Sequence, residues 1–520
     1  VVYSALIAPP NAPVTNPDGT YFNIASLPTS DPAWINPVLL TEGFDNENST
    51  NRILANSNLS YAFTPNLSFS VRLGIDYIYS RTDQYLSRTL PASTGYATVN
   101  TSNNSTYLNE NILSYKKQFG TNHALDLTAG YTWQQTVGTS LGAGTANFAL
   151  DLFGTDNLSA GSTVNTPQTN RSENTLLSWL GRANYGFRDK YLLTVSGRAD
   201  GSSRFGEGNK WGFFPSAALA WRVSEEPFLK NVNWIGDLKL RTSFGVTGNQ
   251  EIGNYNSLTR LNTVSAVFGT GQAIVVGYAP VSMPNPSLKW ETTAQYDVGV
   301  DASFLTGRLN LSLDYYVKNT TDLLTQLPVA LSSGFGSILF NSGSVRNQGF
   351  ELSADGVLLT KNKLRWNLGL NLATNSNQVL DVAVAGGQFF APILASPLNE
   401  SVNIIREGEP LSAFYGYVRD GLWETNQDAT GLMPNAKAGD QRYQDLNGDG
   451  RITADDRTIL GKPNPDLIYG ITSQLSVGNF DLNVLFQGVS GVTVFNANKF
   501  SIGDSFARGA NQLAEVKDRW

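Results

Sequence analysis

The chain has 520 residues, no Cys, one His (His123), 15% charged residues and a formal net charge of −7. Without cysteine there is no disulfide framework, thiolate metal site or thiol catalysis, and with a single histidine a His-based triad or zinc site is set aside. A mildly acidic chain with no Lys/Arg-rich run also excludes nucleic acid as a partner.

No run of about 18 consecutive apolar residues occurs, so no membrane-spanning helix is predicted; a barrel strand needs only alternate apolar positions and escapes such a scan. The chain opens at Val1 without Met or a signal-like segment, as expected of an internal piece of a longer protein. Residues 1–50, rich in Pro, Asn and Ser, read as a long loop segment.

From residue 51 to 520 the pattern is that of a β-barrel region of about 14 strands with long extracellular loops. The first hairpin pairs 52–63 with 67–80 across Thr64, Pro65 and Asn66, and its second strand sets Leu67, Phe69, Val71, Leu73, Ile75, Tyr77 and Tyr79 on one face. Further pairs are predicted at 105–118 with 122–137, 173–187 with 190–204, 210–223 with 236–249, 288–304 with 308–321, 346–359 with 363–378, and 466–477 with 480–492. In 308–318 the alternation is complete: Leu309, Leu311, Leu313, Tyr315 and Val317 oppose Asn310, Ser312, Asp314, Tyr316 and Lys318. Side chains alternate across a strand, so each segment has one oily and one wet side.

These strands run to roughly 10–15 residues, the length that crosses a bilayer at a tilt, against about 5–6 in soluble sheets. Turns within hairpins are short, and links between hairpins reach roughly 24, 34, 38, 24 and 87 residues, the sidedness of an outer-membrane barrel with long loops outward. Two links break the rule: 224–235 is long where a turn is expected, and 205–209 is short where a loop is expected. Open edges in lipid would leave backbone groups unpaired at several kcal/mol each, so closure into a barrel is expected. Tyr79, Trp133, Tyr185, Trp221 and Tyr316 are candidates for interfacial aromatic girdles. Arg72, Asp76, Arg198, Asp200, Asp297, Asp301, Asp314, Glu351 and Arg365 should face the lumen, as a hydrophilic path, as contacts to a plug, or as a wall kept wet by mutual pairing.

The sharpest chemical motif runs from Asp445 to Asp456, DLNGDGRITADD, within a calcium-loop-like insertion at 439–461. Oxygen donors fall at positions 1 (Asp445), 3 (Asn447), 5 (Asp449) and 12 (Asp456), with the Arg451 carbonyl at 7 and Gly450 at the sharp turn, which is the spacing of a Ca2+ loop. Position 12 is Asp where the EF-hand has Glu, and an acidic Asx-turn loop without metal is the plain alternative. Trp34, Phe389, Phe390, Tyr415, Tyr417 and Trp423 in the loops are candidates for stacking on sugar rings, or for loop packing alone. No catalytic residue is assigned: neighbouring carboxylates such as Glu225 and Glu226 point to opposite faces if extended, whereas a glycosidase needs two across a cleft.

Several segments resemble the SusC/RagA family of TonB-dependent outer-membrane transporters of Bacteroidota. They are Gly197–Phe205 (GRADGSSRF) with Trp211–Pro215 (WGFFP), Glu225–Phe228 (EEPF), Leu238–Gln250 (LKLRTSFGVTGNQ), Asn285–Glu291 (NPSLKWE), Asn347–Glu351 (NQGFE) and residues 439–461. The resemblance implies an all-β, antiparallel transmembrane β-barrel of 22 strands filled by an N-terminal plug. Five strands are then expected before this chain and three after it, with the plug and TonB box outside it. It also implies import of oligosaccharides or oligopeptides across the outer membrane, with TonB as energy source, a SusD-like surface lipoprotein as lid, and lipid around the wall. A TonB-dependent siderophore or metal-chelate receptor shares the barrel without that lid. A secreted calcium-binding β-repeat adhesin is the alternative of another class.

Overall fold

The computed structural model describes residues 2–27, 34–230, 232–268, 273–384, 386–390, 401–425, 431–503 and 510–518. One antiparallel sheet of 15 strands dominates it, and 14 of them pair strictly in chain order. We number these β1 (Phe44–Thr64), β2 (Leu67–Leu86), β3 (Tyr96–Phe119), β4 (His123–Phe148), β5 (Gly161–Phe187), β6 (Tyr191–Ser202) and β7 (Trp211–Arg222). They continue as β8 (Ile235–Asn249), β9 (Glu291–Phe304), β10 (Leu309–Thr321), β11 (Ser344–Lys361), β12 (Leu364–Thr374), β13 (Leu467–Val477) and β14 (Phe480–Ser490). The fifteenth, Ser376–Asp381, extends the pairing of β11. β1 and β14 are the two edges and do not pair with each other among the described residues, so closure is not reached within this chain.

The hairpin pairs lie where the alternation places them, but the strands outrun it. β3, β4 and β5 are 24, 26 and 27 residues long, so the link expected to span about 24 residues after β2 shrinks to residues 87–95. Beyond lipid a strand needs only its backbone partner, and the polar run Asn100–Asn104 pairs on both sides without any apolar face. The chain start differs likewise. A short helix, Pro37–Gly43, capped by the Asn36 side chain, leads into β1 at Phe44, seven residues inside the segment expected to be loop.

The two irregular links have local causes. Residues 223–230 fold onto the sheet through Glu226, which accepts hydrogen bonds from Tyr191 Oη (2.7 Å), Lys190 Nζ (3.1 Å) and Trp221 Nε1 (3.3 Å). Those donors, Tyr191 first and Lys190 next, hold the Glu226 carboxyl below its ordinary range. The short link 203–210 is braced by the largest buried cluster of the long-loop end: Phe205, Phe214, Ile252, Leu288 and Trp290. Trp290 lies 5.2 Å from the Phe205 ring and 5.4 Å from the Phe214 ring, and its Nε1 donates to the Lys210 carbonyl at 3.0 Å. Gly248 is required beneath it, because a Cβ there would stand 2.1 Å from Phe214 Cζ.

Candidate functional site: the polar face of the wall

Register decides which side chains share a face. Across β9 and its neighbours, Asp301 stands opposite Lys239 on β8 and Ser312 on β10, while Gly299 stands opposite Arg241 and Asp314. Glu351 on β11 follows Asp314 in the same row. Carried strand by strand from β1 to β14, the pairing sets all nine expected lumen residues on one face: Arg72, Asp76, Arg198, Asp200, Asp297, Asp301, Asp314, Glu351 and Arg365. The opposite face carries Leu59, Trp179, Phe213, Leu219, Val298 and Phe350, each more than half exposed. No second sheet covers them among the described residues. Bare apolar side chains on that scale need a non-aqueous neighbour.

Most charges on the polar face are paired. Arg72 meets Glu110 at 2.9 Å, Arg52 meets Asp76 at 2.7 Å, and Arg198 meets Asp200 at 2.6 Å. The densest group centres on Arg241, whose guanidinium bonds Asp314 (2.7 Å), Asp301 (3.1 Å) and Ser312 Oγ (3.1 Å), with Lys239 Nζ on Asp301 at 3.0 Å. Asp297 accepts from Ser243 and Gln295, and Arg365 donates to Asn367. The Glu351 carboxylate makes no hydrogen bond or ion pair among the described residues and is exposed. Arg241, Lys239, Glu110 and Arg52 were not singled out from sequence, although their place in the alternation marks them as readily as it marks Asp301.

The Arg241 group explains one glycine. A Cβ at Gly299 would lie 2.3 Å from Asp314 Oδ1 and 2.8 Å from Arg241 Cζ. Both Arg241 and Asp301 are about a third exposed, so screening limits the loss for Arg241→Met to about 1–2 kcal/mol in denaturant unfolding. Gly299→Ala should cost less in the Arg241→Met background than alone, because the guanidinium is gone and the Asp314 carboxylate it held is free to turn aside. Strict additivity would show that the glycine does not serve this cluster.

One girdle assignment is corrected. Tyr316 lies on the polar face, where its hydroxyl bonds Asn375 at 3.1 Å and Lys318 Nζ sits 5.1 Å above its ring. An aromatic at an even position of β10 shares its side with Asp314, so period outranks residue type. Tyr79, Trp133, Tyr185 and Trp221 do lie on the apolar face.

The 445–456 loop is closed by its own backbone amides. Asp445 accepts from the N–H of Gly448 (2.7 Å) and Gly450 (2.8 Å), Asn447 from Asp449 N–H, and Asp449 from Arg451 N–H. Asp456, fully buried, accepts from the N–H groups of Thr453 (2.7 Å) and Leu446 (2.9 Å) and completes a capping box with Thr453. No three acidic or His side chains converge closely enough to hold a metal among the described residues. The amides, Thr453 N–H first, hold the Asp456 carboxyl below its ordinary range. The stability it lends is present above the unfolded carboxylate value of about 3.9 and is lost as pH falls through the lower folded value. Cleavage within 430–460 is therefore expected to rise only below about pH 4, and for Asp456→Ala at every pH.

Of the loop aromatics, Trp423 is buried against Ala436. Phe390 and Tyr415 pack 5.9 Å apart with Arg406 over Tyr415, and Tyr417 pairs with Tyr443 under Arg457. These contacts are loop packing.

The model of the TonB dependent receptor-like β-barrel family matches residues 7–460. The chain belongs to this family. It is 34% identical over 527 residues to TonB-dependent receptor P3 of Formosa agariphila, covering 100% of this chain and 52% of that protein. It is 33% identical over 320 residues to TonB-dependent receptor SusC of Bacteroides thetaiotaomicron, covering 60% of this chain and 31% of that protein. The solved RagAB peptide transporter shares its fold with a TM-score of 0.81 at 23% identity, over 94% of this chain and 53% of that one. The chain thus spans about half the length of the curated relatives it matches most fully. Receptors of this family are outer-membrane β-barrels and as a class they are transporters, and the curated relatives named here come from Bacteroidetes.

Proposed function

We propose that this chain forms the barrel wall of a SusC-like importer that carries oligosaccharides across the outer membrane, with TonB as energy source and a SusD-like lipoprotein as lid. The observation that carries this reading is the two-faced wall: charged and amide side chains share one face over 14 strands, and bare apolar side chains share the other. Ion pairing consumes most of the charge on the polar face and leaves hydroxyls and amides such as Thr106, Thr132, Asn174, Ser196 and Ser216. Such a neutral hydrogen-bonding surface suits polyols. RagAB, whose fold the chain shares, is a peptide transporter, and peptide is therefore the second reading.

Deletion of the full-length gene should abolish growth on one purified glycan while growth on peptides persists. Loss of growth on peptides alone would favour the second reading, and unchanged growth on both would remove the importer proposal. For the 445–456 loop we propose Ca2+ on Asp445, Asn447, Asp449, the Arg451 carbonyl and Asp456, supported by a donor set of hard oxygens that suits that ion. Millimolar EGTA at neutral pH should then speed cleavage within 430–460, and unchanged cleavage would leave the amide-closed loop as the whole account.

A further inference from the structure

At the short-turn end of the apolar face, five consecutive strands contribute one unbroken row of rings. Phe119 on β3 stands opposite His123 on β4, His123 opposite Phe187 on β5, Phe187 opposite Tyr191 on β6, and Tyr191 opposite Trp221 on β7. Ring centroids along it lie 5.1 Å apart for His123 and Phe187, 6.3 Å for Phe187 and Tyr191, and 6.5 Å for Tyr191 and Trp221. Such a row marks the membrane–water boundary.

Two cations sit on this row. Lys117 Nζ lies 5.0 Å above the Phe119 ring, and the Arg188 guanidinium lies 5.0 Å above the Phe187 ring. Both are exposed and neither has a carboxylate partner among the described residues. Arg188 reaches its position from a left-handed backbone (φ 54°) that only a tight hairpin turn imposes. The nearby Glu226 is already engaged by Lys190, Tyr191 and Trp221 at the far end of the row. Between the two cations lies His123, the only histidine of the chain. Its Nδ1 is 2.7 Å from Tyr185 Oη. With that hydroxyl donating to Nδ1, the neutral ring carries its proton on Nε2 and offers one further donor.

From this geometry we infer a binding site for the phosphate of an anionic phospholipid in the turn-side leaflet, formed by Lys117, His123 and Arg188; the inference rests on the membrane-spanning reading above. The two rings beneath the cations are two strands apart, about 10 Å at the ordinary strand spacing, a gap that a phosphodiester bridges when both arms lean inward. Acyl chains would then lie along Leu125, Leu127 and Leu193, which continue the same face into the lipid. Cations at an interface attract anionic headgroups, and held over aromatic rings they lose less freedom on binding.

The test is native mass spectrometry of the full-length protein released from nanodiscs of mixed phosphatidylglycerol and phosphatidylcholine. Wild type should retain phosphatidylglycerol preferentially, and Lys117→Gln/Arg188→Gln should lose that preference by roughly tenfold. Lys230→Gln, which removes one positive charge from an exposed turn of the same end, should keep it, whereas each of Lys117→Gln and Arg188→Gln alone should weaken it. Excess inorganic phosphate should not displace the lipid. Equal lipid ratios for the double variant and wild type, or displacement by free phosphate, would overturn the site. Failure of the wild-type protein to enter nanodiscs at all would instead overturn the membrane-spanning reading.

Discussion

Val195→Arg is expected to destabilise the barrel by about 2–4 kcal/mol, and Thr194→Arg, one residue earlier on the same strand, by about 1 kcal/mol or less. Val195 is exposed on the apolar face of β6, four residues inward of the Tyr191 row and therefore near the middle of the lipid band. Thr194 faces the other way and donates to Asn184 at 2.9 Å. An arginine there meets the polar side of the wall and loses one hydrogen bond. Urea unfolding of the full-length protein from liposomes would measure both. Equal costs would mean that the two faces do not see different solvents, and the importer reading would go with them.

Trp290→Ala is expected to cost about 3–5 kcal/mol. Trp290 is 6% exposed and touches both Phe205 and Phe214, so truncation empties the centre of the cluster that ties the link 203–210 to the segment before β9. Trp290→Phe keeps most of the packing and gives up the bond to the Lys210 carbonyl, for about 1 kcal/mol. The readout is the temperature at which the detergent-solubilised protein loses its compact, heat-modifiable form. A Trp290→Ala variant melting with wild type would show that the cluster does not hold this end of the wall.

That cluster also gives the family signatures a physical meaning. Phe205 closes the GRADGSSRF segment, Phe214 lies in WGFFP, and Leu288 and Trp290 lie in NPSLKWE. Far apart in sequence, they meet in one buried knot, so these signature residues hold the architecture, while Arg198, Asp200, Lys239, Arg241 and Glu351 of the same signatures stand on the polar face. The strands were legible because lipid on one side and water on the other force strict alternation, as in 308–318. Their upper ends were not, because above the lipid neither face is selected for oil and only backbone pairing continues. The Arg241 group was half legible. Asp301 and Asp314 stood out as acids on a wet face, but their convergence on one guanidinium depends on the relative register of β8, β9 and β10, which no single segment encodes. The 445–456 motif was read from its spacing, and the role of Asp456 as a buried cap emerges only from the fold.

The uneven strand lengths shape the entrance. β4, with 26 residues, reaches about 65 Å along the barrel axis at the usual rise and tilt, about 40 Å beyond an apolar band of about 25 Å. β6 and β7, with 12 residues each, end far lower. The long-loop end of the wall is therefore cut obliquely, like a quill: a stiff parapet on the β1–β5 flank drops to a low sill at β6 and β7. On the importer reading proposed above, a bulky cargo chain would meet that parapet before it reached lipid depth, so girth would be screened by the masonry of the wall before any side chain inspected its chemistry.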